Sequence, residues 1–256
     1  VPSLTVLYVH MRNGRGSERL LLAALVMTAI SLLIPILCVS RFQLVFAVLL
    51  AAFTYISLQK LFHPGWLFGL FVVMIPFYLI LTVARSHNIE YLNGIFEMKN
   101  ASMPIFVSQP YIYIANNYDN FNFLVGALPG HSFGLKGLFP LWALSGLKFF
   151  FPQLINFPIY VDKTELTTLT LFYDSYYDFG WIGVLLFSCI LGAIAYILVV
   201  KLREMRNPLG YLLYAQFAAY LMLSFFTTWF SNTTTWFYLI LTGIMALFYH
   251  LRASRW

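Results

Sequence analysis

The sequence predicts an all-α polytopic membrane protein with about six visible transmembrane helices and one long outer loop with short or re-entrant helices. Of its 256 residues, 61% are hydrophobic and only 9% are charged, whereas about a quarter of the residues in a soluble domain are charged. The mean hydropathy is +0.80. Aromatic residues make up 19% of the chain, and tyrosine and tryptophan favour membrane interfaces. Together these observations exclude an ordinary soluble globular domain.

The formal net charge of +6 does not indicate a nucleic-acid partner. The basic residues lie in short clusters between apolar runs, a distribution typical of cytoplasmic loops. Cys38 and Cys189 fall inside apolar runs, so we expect no disulfide framework. No Walker A loop, G-x-G-x-x-G, H-E-x-x-H or C-x-x-C motif occurs. We therefore expect no cofactor and no metal, and an enzyme of this kind would use an already activated substrate.

Six stretches are apolar over about the 20 residues that a membrane-crossing helix needs. They are residues 20–39, 42–58, 66–84, 181–200, 209–229 and 235–251. Basic residues close several of them, with Lys201 and Arg203 after the fourth and Arg252 and Arg255 after the sixth. Because the sequence begins with Val, we expect that upstream spans are missing from it.

The basic residues also predict an orientation. Alternating the spans from residues 1–19 places most of the Lys and Arg of the short loops on the side of that first segment. Positive residues in short loops favour the cytoplasm, whereas long loops follow this rule weakly. We therefore predict a single membrane domain, residues 1–256, with both visible ends cytoplasmic. Residues 85–180, the outer segment, would be an insertion on the opposite side.

The outer segment is rich in aromatic residues and lacks the composition of a disordered chain. Residues 136–151 are apolar but short and interrupted by Gly and Pro, which favours a re-entrant or interfacial helix. Residues 111–122, Y-I-Y-I-A-N-N-Y-D-N-F-N, combine rings and amides as sugar-binding surfaces do. The candidates here are Tyr111, Tyr113, Asn117, Tyr118 and Asp119. An interfacial aromatic belt would explain the same pattern.

Residues 162–192 form the stretch around which the functional interpretation is organised. A polar run leads there into an apolar helix that is predicted to begin near Trp181, and ionisable groups beside lipid mark functional sites. The candidate general bases in this run are Asp174, Asp178 and Glu165. Two of them have local alternatives. Asp178, just before Gly180, would suit a helix N-cap, and Glu165 with Lys163 would suit a solvated ion pair.

Arg41 and Arg85 are the two arginines at the predicted outer helix ends. A guanidinium binds phosphate oxygens through two parallel hydrogen bonds and stays charged, so this pair could hold a lipid-linked diphosphate. Snorkelling interface residues are the alternative. His87 and His131 are further candidate bases, because histidine titrates near neutral pH. His131 lies in P-G-H-S-F-G, where the glycines predict a tight turn that exposes the ring.

Residues 85–200 resemble the oligosaccharide repeat unit polymerases of the O-antigen polymerase (Wzy) type. The resemblance is carried by Y-I-Y-I-A-N-N-Y-D-N-F, by L-T-T-L-T-L-F-Y-D-S-Y-Y-D-F-G-W-I-G and by the Leu-Gly pair at 191–192. It implies a GT-C-like fold and an inverting, metal-independent glycosyltransferase on the outer face of the bacterial inner membrane. Such an enzyme moves a growing glycan from an undecaprenyl diphosphate carrier onto an incoming lipid-linked repeat unit.

The resemblance also implies roles for individual residues. Arginines in the outer loops of this family are thought to grip the diphosphate, which Arg85 would match. Asp174 or a histidine would then deprotonate the acceptor hydroxyl. The remaining candidate substrate contacts are Lys136, Lys163, Tyr176 and Tyr177.

The partners implied are the undecaprenyl-diphosphate-linked oligosaccharide and the lipid bilayer, with a flippase and a chain-length regulator as further candidates and no nucleic acid. Three alternatives to the polymerase stay open. An O-antigen ligase-type transferase uses the same donor with a different acceptor. A transporter or flippase would move lipid-linked sugars or polysaccharide, and a membrane scaffold would have a purely structural role.

Overall fold

The computed structural model describes residues 2–12, 17–38, 41–59, 88–204, 207–225 and 227–253, with scattered positions between 65 and 80. Within these residues all regular structure is helical. The α-helices are α1 (Pro2–Arg12), α2 (Glu18–Leu37), α3 (Arg41–Gln59), α4 (Ile89–Ile95), α5 (Ile105–Ala127), α6 (Phe139–Leu144), α7 (Tyr173–Glu204), α8 (Pro208–Met222) and α9 (Thr233–Ala253). Short 3₁₀ helices occur at Leu147–Phe149, Pro152–Leu154 and Trp229–Ser231.

Helices α2, α7 and α9 are long and apolar enough to cross a membrane, over Glu18–Leu37, Tyr173–Lys201 and Thr233–Leu251. Helix α2 has no buried residue, and its exposed side chains are largely Leu, Ile, Val and Met. A helix that is apolar on all sides suits lipid rather than water. The class predicted from the sequence, a helical membrane protein, is consistent with these helices. The predicted spans at 20–39 and 235–251 match α2 and α9.

The other predicted spans fit less well. Helices α3 and α8 carry shorter apolar stretches, Phe42–Leu58 and Leu209–Met222. Most of residues 66–84 lie outside the described residues. The helix expected over 209–229 is shorter, because α8 ends at Met222.

Hydrogen bonds of Ser224 follow the end of α8. Its hydroxyl donates to the carbonyl oxygens of Tyr220 at 2.8 Å and Leu221 at 2.6 Å. Bonds of this kind often bend a helix. The backbone N–H of Leu171 donates to the Ser224 carbonyl at 3.1 Å, so this turn is joined to the segment before α7.

The chain divides into two compact units. Unit 1 comprises Val1–Val107, Val199–Ala219 and Met245–Trp256, and unit 2 comprises Ser108–Leu198 and Tyr220–Ile244. In unit 1, helices α1, α2 and α3 pack against one another. Unit 2 contains most of the predicted outer segment together with the first part of α7.

Helix α5 corrects the expectation that the outer segment holds only short or re-entrant helices, because it runs for 23 residues. Its buried positions are Ile105, Ser108, Gln109, Ile112, Asn116, Asn117, Asn120 and Leu124. These positions recur at helical spacing. Five of the eight are polar, so the buried face carries no hydrophobic periodicity that the sequence could reveal.

The asparagines of α5 form hydrogen bonds to an irregular segment of unit 2, residues 155–172, which precedes α7. The Asn120 side-chain nitrogen donates to the carbonyls of Leu166 at 2.7 Å and Thr168 at 2.9 Å, and its oxygen accepts from the Asp162 N–H at 3.0 Å. Asn116 donates to the same Leu166 carbonyl at 2.9 Å. Buried backbone groups need partners, and here side-chain amides supply them in place of a helix or sheet.

Tyrosines form much of the core of unit 2. Leu124, Tyr173 and Tyr177 are buried together. The Tyr173 hydroxyl donates to the Tyr160 carbonyl at 2.7 Å and accepts from the Tyr160 N–H at 2.8 Å. This tyrosine therefore satisfies its own polar atom while it joins α7 to the irregular segment.

Helix α7 begins at Tyr173, eight residues before the predicted start near Trp181, and contains a kink. Phe179 has φ −137° and ψ 17°, and Gly180 has φ +62° and ψ −147°. A positive φ of this kind is accessible to glycine at little cost. The predicted helix start thus coincides with the second helical stretch of α7, after the kink.

We predict that Asn120→Asp lowers the unfolding temperature of the detergent-purified protein. The carboxylate has no N–H to give, so the carbonyls of Leu166 and Thr168 lose a donor and face a negative charge. Each buried group left unpaired costs roughly 1–3 kcal/mol. The matched control is Asn122→Asp on the exposed side of the same helix. Equal unfolding temperatures for the two variants would contradict the bracing role of Asn120.

Candidate functional site

Asp174 lies in the first turn of α7, and only 5% of its surface is exposed. The Lys136 ammonium nitrogen stands 3.7 Å from its Oδ1 atom. The hydroxyls of Thr228 and Ser231 also act on the carboxylate as hydrogen-bond donors. One cation and two hydroxyls, from segments far apart in the sequence, therefore converge on this acid.

Tyrosine rings enclose the ammonium of Lys136. Its nitrogen lies 4.4 Å from the centre of the Tyr177 ring and 5.5 Å from that of Tyr173. Cation–π contacts of this kind strengthen when the cation is shielded from water. Even so, burying an ion pair carries a desolvation cost that often equals or exceeds the attraction. A buried pair is therefore weak as a source of stability, which makes a functional role worth testing.

Asp178, one helical turn after Asp174, holds the loop that carries Lys136. Its carboxylate accepts hydrogen bonds from the Ser132 hydroxyl and from the backbone N–H groups of Lys136 at 3.2 Å and Gly137 at 2.8 Å. Consecutive N–H groups pointing at one carboxylate form a small anion-binding concavity. The loop of residues 131–137, called the lysine loop below, is thus fixed at the lysine itself.

The expectation that Asp178 caps the helix after the kink is wrong. The donors to its carboxylate come from the lysine loop and not from the amides that follow Gly180. The local sequence favours a cap, but donors from a distant loop reach the carboxylate first. Three donors engage Asp178, whereas Asp174 faces one ammonium and two hydroxyls.

The kink in α7 provides further attachment points for the lysine loop. The N–H groups of Ser132 and Phe133 donate to the carbonyls of Tyr177 at 3.2 Å and Asp178 at 3.1 Å. A regular helix would use these carbonyls for its own N–H groups four residues on. The non-helical backbone at Phe179 and Gly180 leaves them for the loop.

His131 lies against the kink at the start of the lysine loop. Its Nδ1 atom is 3.3 Å from the Tyr177 carbonyl, and its ring meets the Tyr176 ring edge to face at 6.1 Å. A Cβ atom on Gly180 would stand 3.1 Å from the His131 Nε2 atom. The structure therefore brings together five predicted site residues: Asp174, Asp178, His131, Lys136 and Tyr177.

The structure places the other candidates elsewhere in unit 2 or at the edge of this cluster. Glu165 is exposed and accepts a hydrogen bond from the Thr164 hydroxyl at 3.2 Å. Lys163 is half-buried in the same irregular segment. Tyr176 is half-buried at the edge of the cluster, where its ring contacts those of His131 at 6.1 Å and Phe121 at 5.4 Å. Arg85 and His87 lie outside the described residues, as does the side chain of Arg41.

The predicted sugar-binding surface on α5 divides into two faces. Tyr111, Tyr113, Tyr118 and Asp119 are exposed. Asn117 is fully buried, and its side-chain nitrogen donates to the Phe225 carbonyl at 2.8 Å. Asn117 therefore joins α5 to residue 225 within unit 2 and is not on the exposed surface with its neighbours.

Several residues of the cluster escaped sequence reasoning. They are Ser132, Gly137, Tyr173, Thr228 and Ser231. Small hydroxyl residues and a lone glycine are too common to stand out in one sequence. Among the described residues, no group of three or more His, Cys, Asp or Glu side chains is arranged to hold a metal ion.

Comparisons with known proteins return no relative. No protein-family model matches the sequence. No curated protein matches it, and no solved structure does. The case for a function therefore rests on the geometry around Asp174 and Lys136.

We predict that Gly137→Ala destabilises the protein and Gly130→Ala does not. A Cβ on Gly137 would stand 2.5 Å from the Asp178 Oδ2 atom, whereas a Cβ on Gly130 meets nothing within 4 Å. The Asp178 oxygen is held by its donors and has little room to move, so the clash should cost about 1–3 kcal/mol, as overpacking does. Thermal unfolding of the two purified variants measures the difference. A stable Gly137→Ala variant would refute the tight clamp on the lysine loop.

Proposed function

We propose that the protein is a membrane glycosyltransferase that polymerises undecaprenyl-diphosphate-linked repeat units into a surface polysaccharide. The proposed location is the outer face of a bacterial inner membrane. The observation that carries the proposal is the buried pair of Asp174 and Lys136 at the start of an apolar helix long enough to cross a membrane. Glycosyl transfer from a lipid diphosphate needs a proton acceptor for the incoming hydroxyl and positive charge for the departing phosphate.

In the proposed reaction Asp174 is the general base. The acceptor hydroxyl oxygen attacks the anomeric carbon of the donor glycan from the face opposite the diphosphate. The new C–O bond forms as the bond from that carbon to the phosphate oxygen breaks. The hydroxyl proton passes to Asp174, and the electron pair leaves with the polyprenyl diphosphate. The resulting glycosidic bond has inverted configuration.

Lys136 would link the two halves of this reaction. Its ammonium nitrogen is 3.7 Å from the Asp174 Oδ1 atom. A diphosphate carries more negative charge than one carboxylate, so it would attract the ammonium and free Asp174 to accept the proton. Asp178 would keep the lysine backbone in place during this shift through its bonds to Lys136 and Gly137. Lys136 is thus the proposed electrostatic partner of the leaving group.

The remaining assignments complete the proposal. Arg41 and Arg85 stay candidate diphosphate ligands from the sequence alone, and His87 and His131 stay alternative bases. The exposed tyrosines of α5 are the proposed glycan surface, because sugar rings stack on aromatic faces. The immediate partners are the lipid-linked oligosaccharide and the bilayer, and a flippase and a chain-length regulator would act before and beside the enzyme.

One observation favours a transporter of lipid-linked sugars as the second candidate. Helix α7 is interrupted at Phe179 and Gly180, and the buried carboxylates of Asp174 and Asp178 lie within two turns of the interruption. Interrupted helices beside buried charges are typical of transporters. The ligase alternative keeps the same donor chemistry and changes only the acceptor.

We predict that Asp174→Asn reduces elongation of lipid-linked repeat units in reconstituted vesicles by about 100-fold or more, the usual contribution of a general base. The amide keeps the shape of the side chain but cannot accept the proton. Glu165→Gln is the matched control, because it makes the same carboxylate-to-amide change at an exposed position. Product length on a gel, with added lipid-linked repeats and no nucleotide, measures the rate.

The outcomes separate the candidate functions. Normal elongation by Asp174→Asn would remove Asp174 as the base. In cells that lack the protein, single repeats on their final acceptor indicate a polymerase, and full-length polymer retained on the carrier indicates a ligase. Repeat units trapped on the cytoplasmic leaflet indicate a transporter.

A further inference from the structure

A second region of unit 2 presents apolar side chains with no protein cover. Phe149 and Phe150 are 79% and 78% exposed, and Phe151 next to them is exposed as well. They lie between the 3₁₀ helices Leu147–Phe149 and Pro152–Leu154. Three consecutive exposed phenylalanines are rare on a water-facing surface and mark a contact with another apolar phase.

The exposed apolar surface extends toward the lysine loop. Leu138, Leu141, Leu144 and Leu147 recur at every third position, and all four are exposed. This spacing places Leu138, Leu141 and Leu144 along one side of helix α6, and Leu147 begins the 3₁₀ helix that follows it. Together with the phenylalanines they form an apolar strip, defined here as residues 138–155.

The charges around the apolar strip fit the same environment. Residues 120–161 contain no Asp or Glu, so the strip itself brings no carboxylate to the interface. Lys148 is its one cationic residue. The Lys148 ammonium lies 5.1 Å from the centre of the Phe149 ring. A lysine can keep its ammonium at the headgroup level while its stem follows apolar neighbours inward.

The lysine loop joins the strip to a helix that suits lipid. Phe133 is 77% exposed, and its ring meets the Phe179 ring of α7 at 6.3 Å. Two residues further on, Trp181 is 72% exposed where the apolar stretch of α7 begins. Tryptophan at the end of a membrane helix marks the headgroup level. The loop that leads into the strip therefore starts at the edge of a candidate membrane span.

We propose that the apolar strip lies in the membrane interface and inserts Phe149, Phe150 and Phe151 at the boundary between headgroups and acyl chains. The short 3₁₀ helices suit this depth, because irregular backbone is excluded from the hydrocarbon centre but tolerated where water reaches it. This inference is independent of the proposed catalysis. It adds that Lys136, two residues before the strip, lies close to the headgroups, where a lipid-linked diphosphate would be.

Spin-label accessibility tests the proposal. The free cysteines Cys38 and Cys189 are replaced by Ala, and one nitroxide is attached through Phe150→Cys in protein reconstituted in phosphatidylcholine–phosphatidylglycerol vesicles. Oxygen concentrates in the bilayer, and a water-soluble nickel chelate stays outside it. Two further labels, both at exposed positions, give the reference responses: Leu185→Cys in the span for lipid, and Glu165→Cys in the polar segment for water.

We expect the label at position 150 to respond more strongly to oxygen than to the nickel chelate. The label at Leu185 should show the same preference, and the label at Glu165 the opposite one. A nickel response like that at Glu165 would place the strip in water and overturn the proposal. Weak responses to both reagents would indicate burial against a second copy of the chain and would overturn it too. Because Phe150 is exposed, its replacement spares the core, and Phe149→Cys provides a repeat at the neighbouring position.

The outcome of the membrane test does not depend on the outcome of the catalytic test. The label reports depth whether or not the protein elongates glycans. An interfacial strip in a protein without transferase activity would leave this inference intact and remove only the proposed function. A water-exposed strip in an active enzyme would do the reverse.

Discussion

The ion pair between Lys136 and Asp174 is the interaction on which the candidate site depends, and a second carboxylate makes it possible. Lys136 lies in a loop without regular structure, which by itself would not hold an ammonium against a buried acid. Asp178 supplies the missing constraint by accepting the N–H groups of Lys136 and Gly137. Two acids of one helix thus have different tasks, because one holds the lysine backbone and the other faces its charge.

Buried polar bonds, more than a large apolar core, hold unit 2 together. Asn120 supports the irregular segment, and Tyr173 joins that segment to α7. The kink at Gly180 frees carbonyls that the lysine loop then uses. This design suits a protein whose apolar side chains are largely needed outside, against lipid, as the exposed surfaces of its membrane-length helices indicate. It also means that single amide or glycine substitutions should have large effects.

Composition alone predicts the class of the fold, because long apolar runs leave few alternatives to membrane helices. Asp174 could also be found, since an acid beside such a run is costly and therefore noticeable. Helix α5 could not be predicted, because most of its buried positions carry polar side chains, which hide the helical period. The pairing of Asp174 with Lys136 was equally hidden, since it depends on tertiary structure. The N-cap rule assigned the wrong role to Asp178, because the donors to its carboxylate come from a loop that is distant in sequence.

A double-mutant cycle on Asp174→Asn and Lys136→Met tests most directly whether the buried pair serves function rather than stability. Each single change leaves a buried group without its partner, which typically costs about 3–5 kcal/mol when a charge is stranded, whereas removing both is often nearly neutral. We expect the double variant to recover most of the unfolding temperature lost by Lys136→Met and still to elongate no lipid-linked glycan. A double variant that elongates glycans at the normal rate would contradict the account, because the pair would then be only a structural contact.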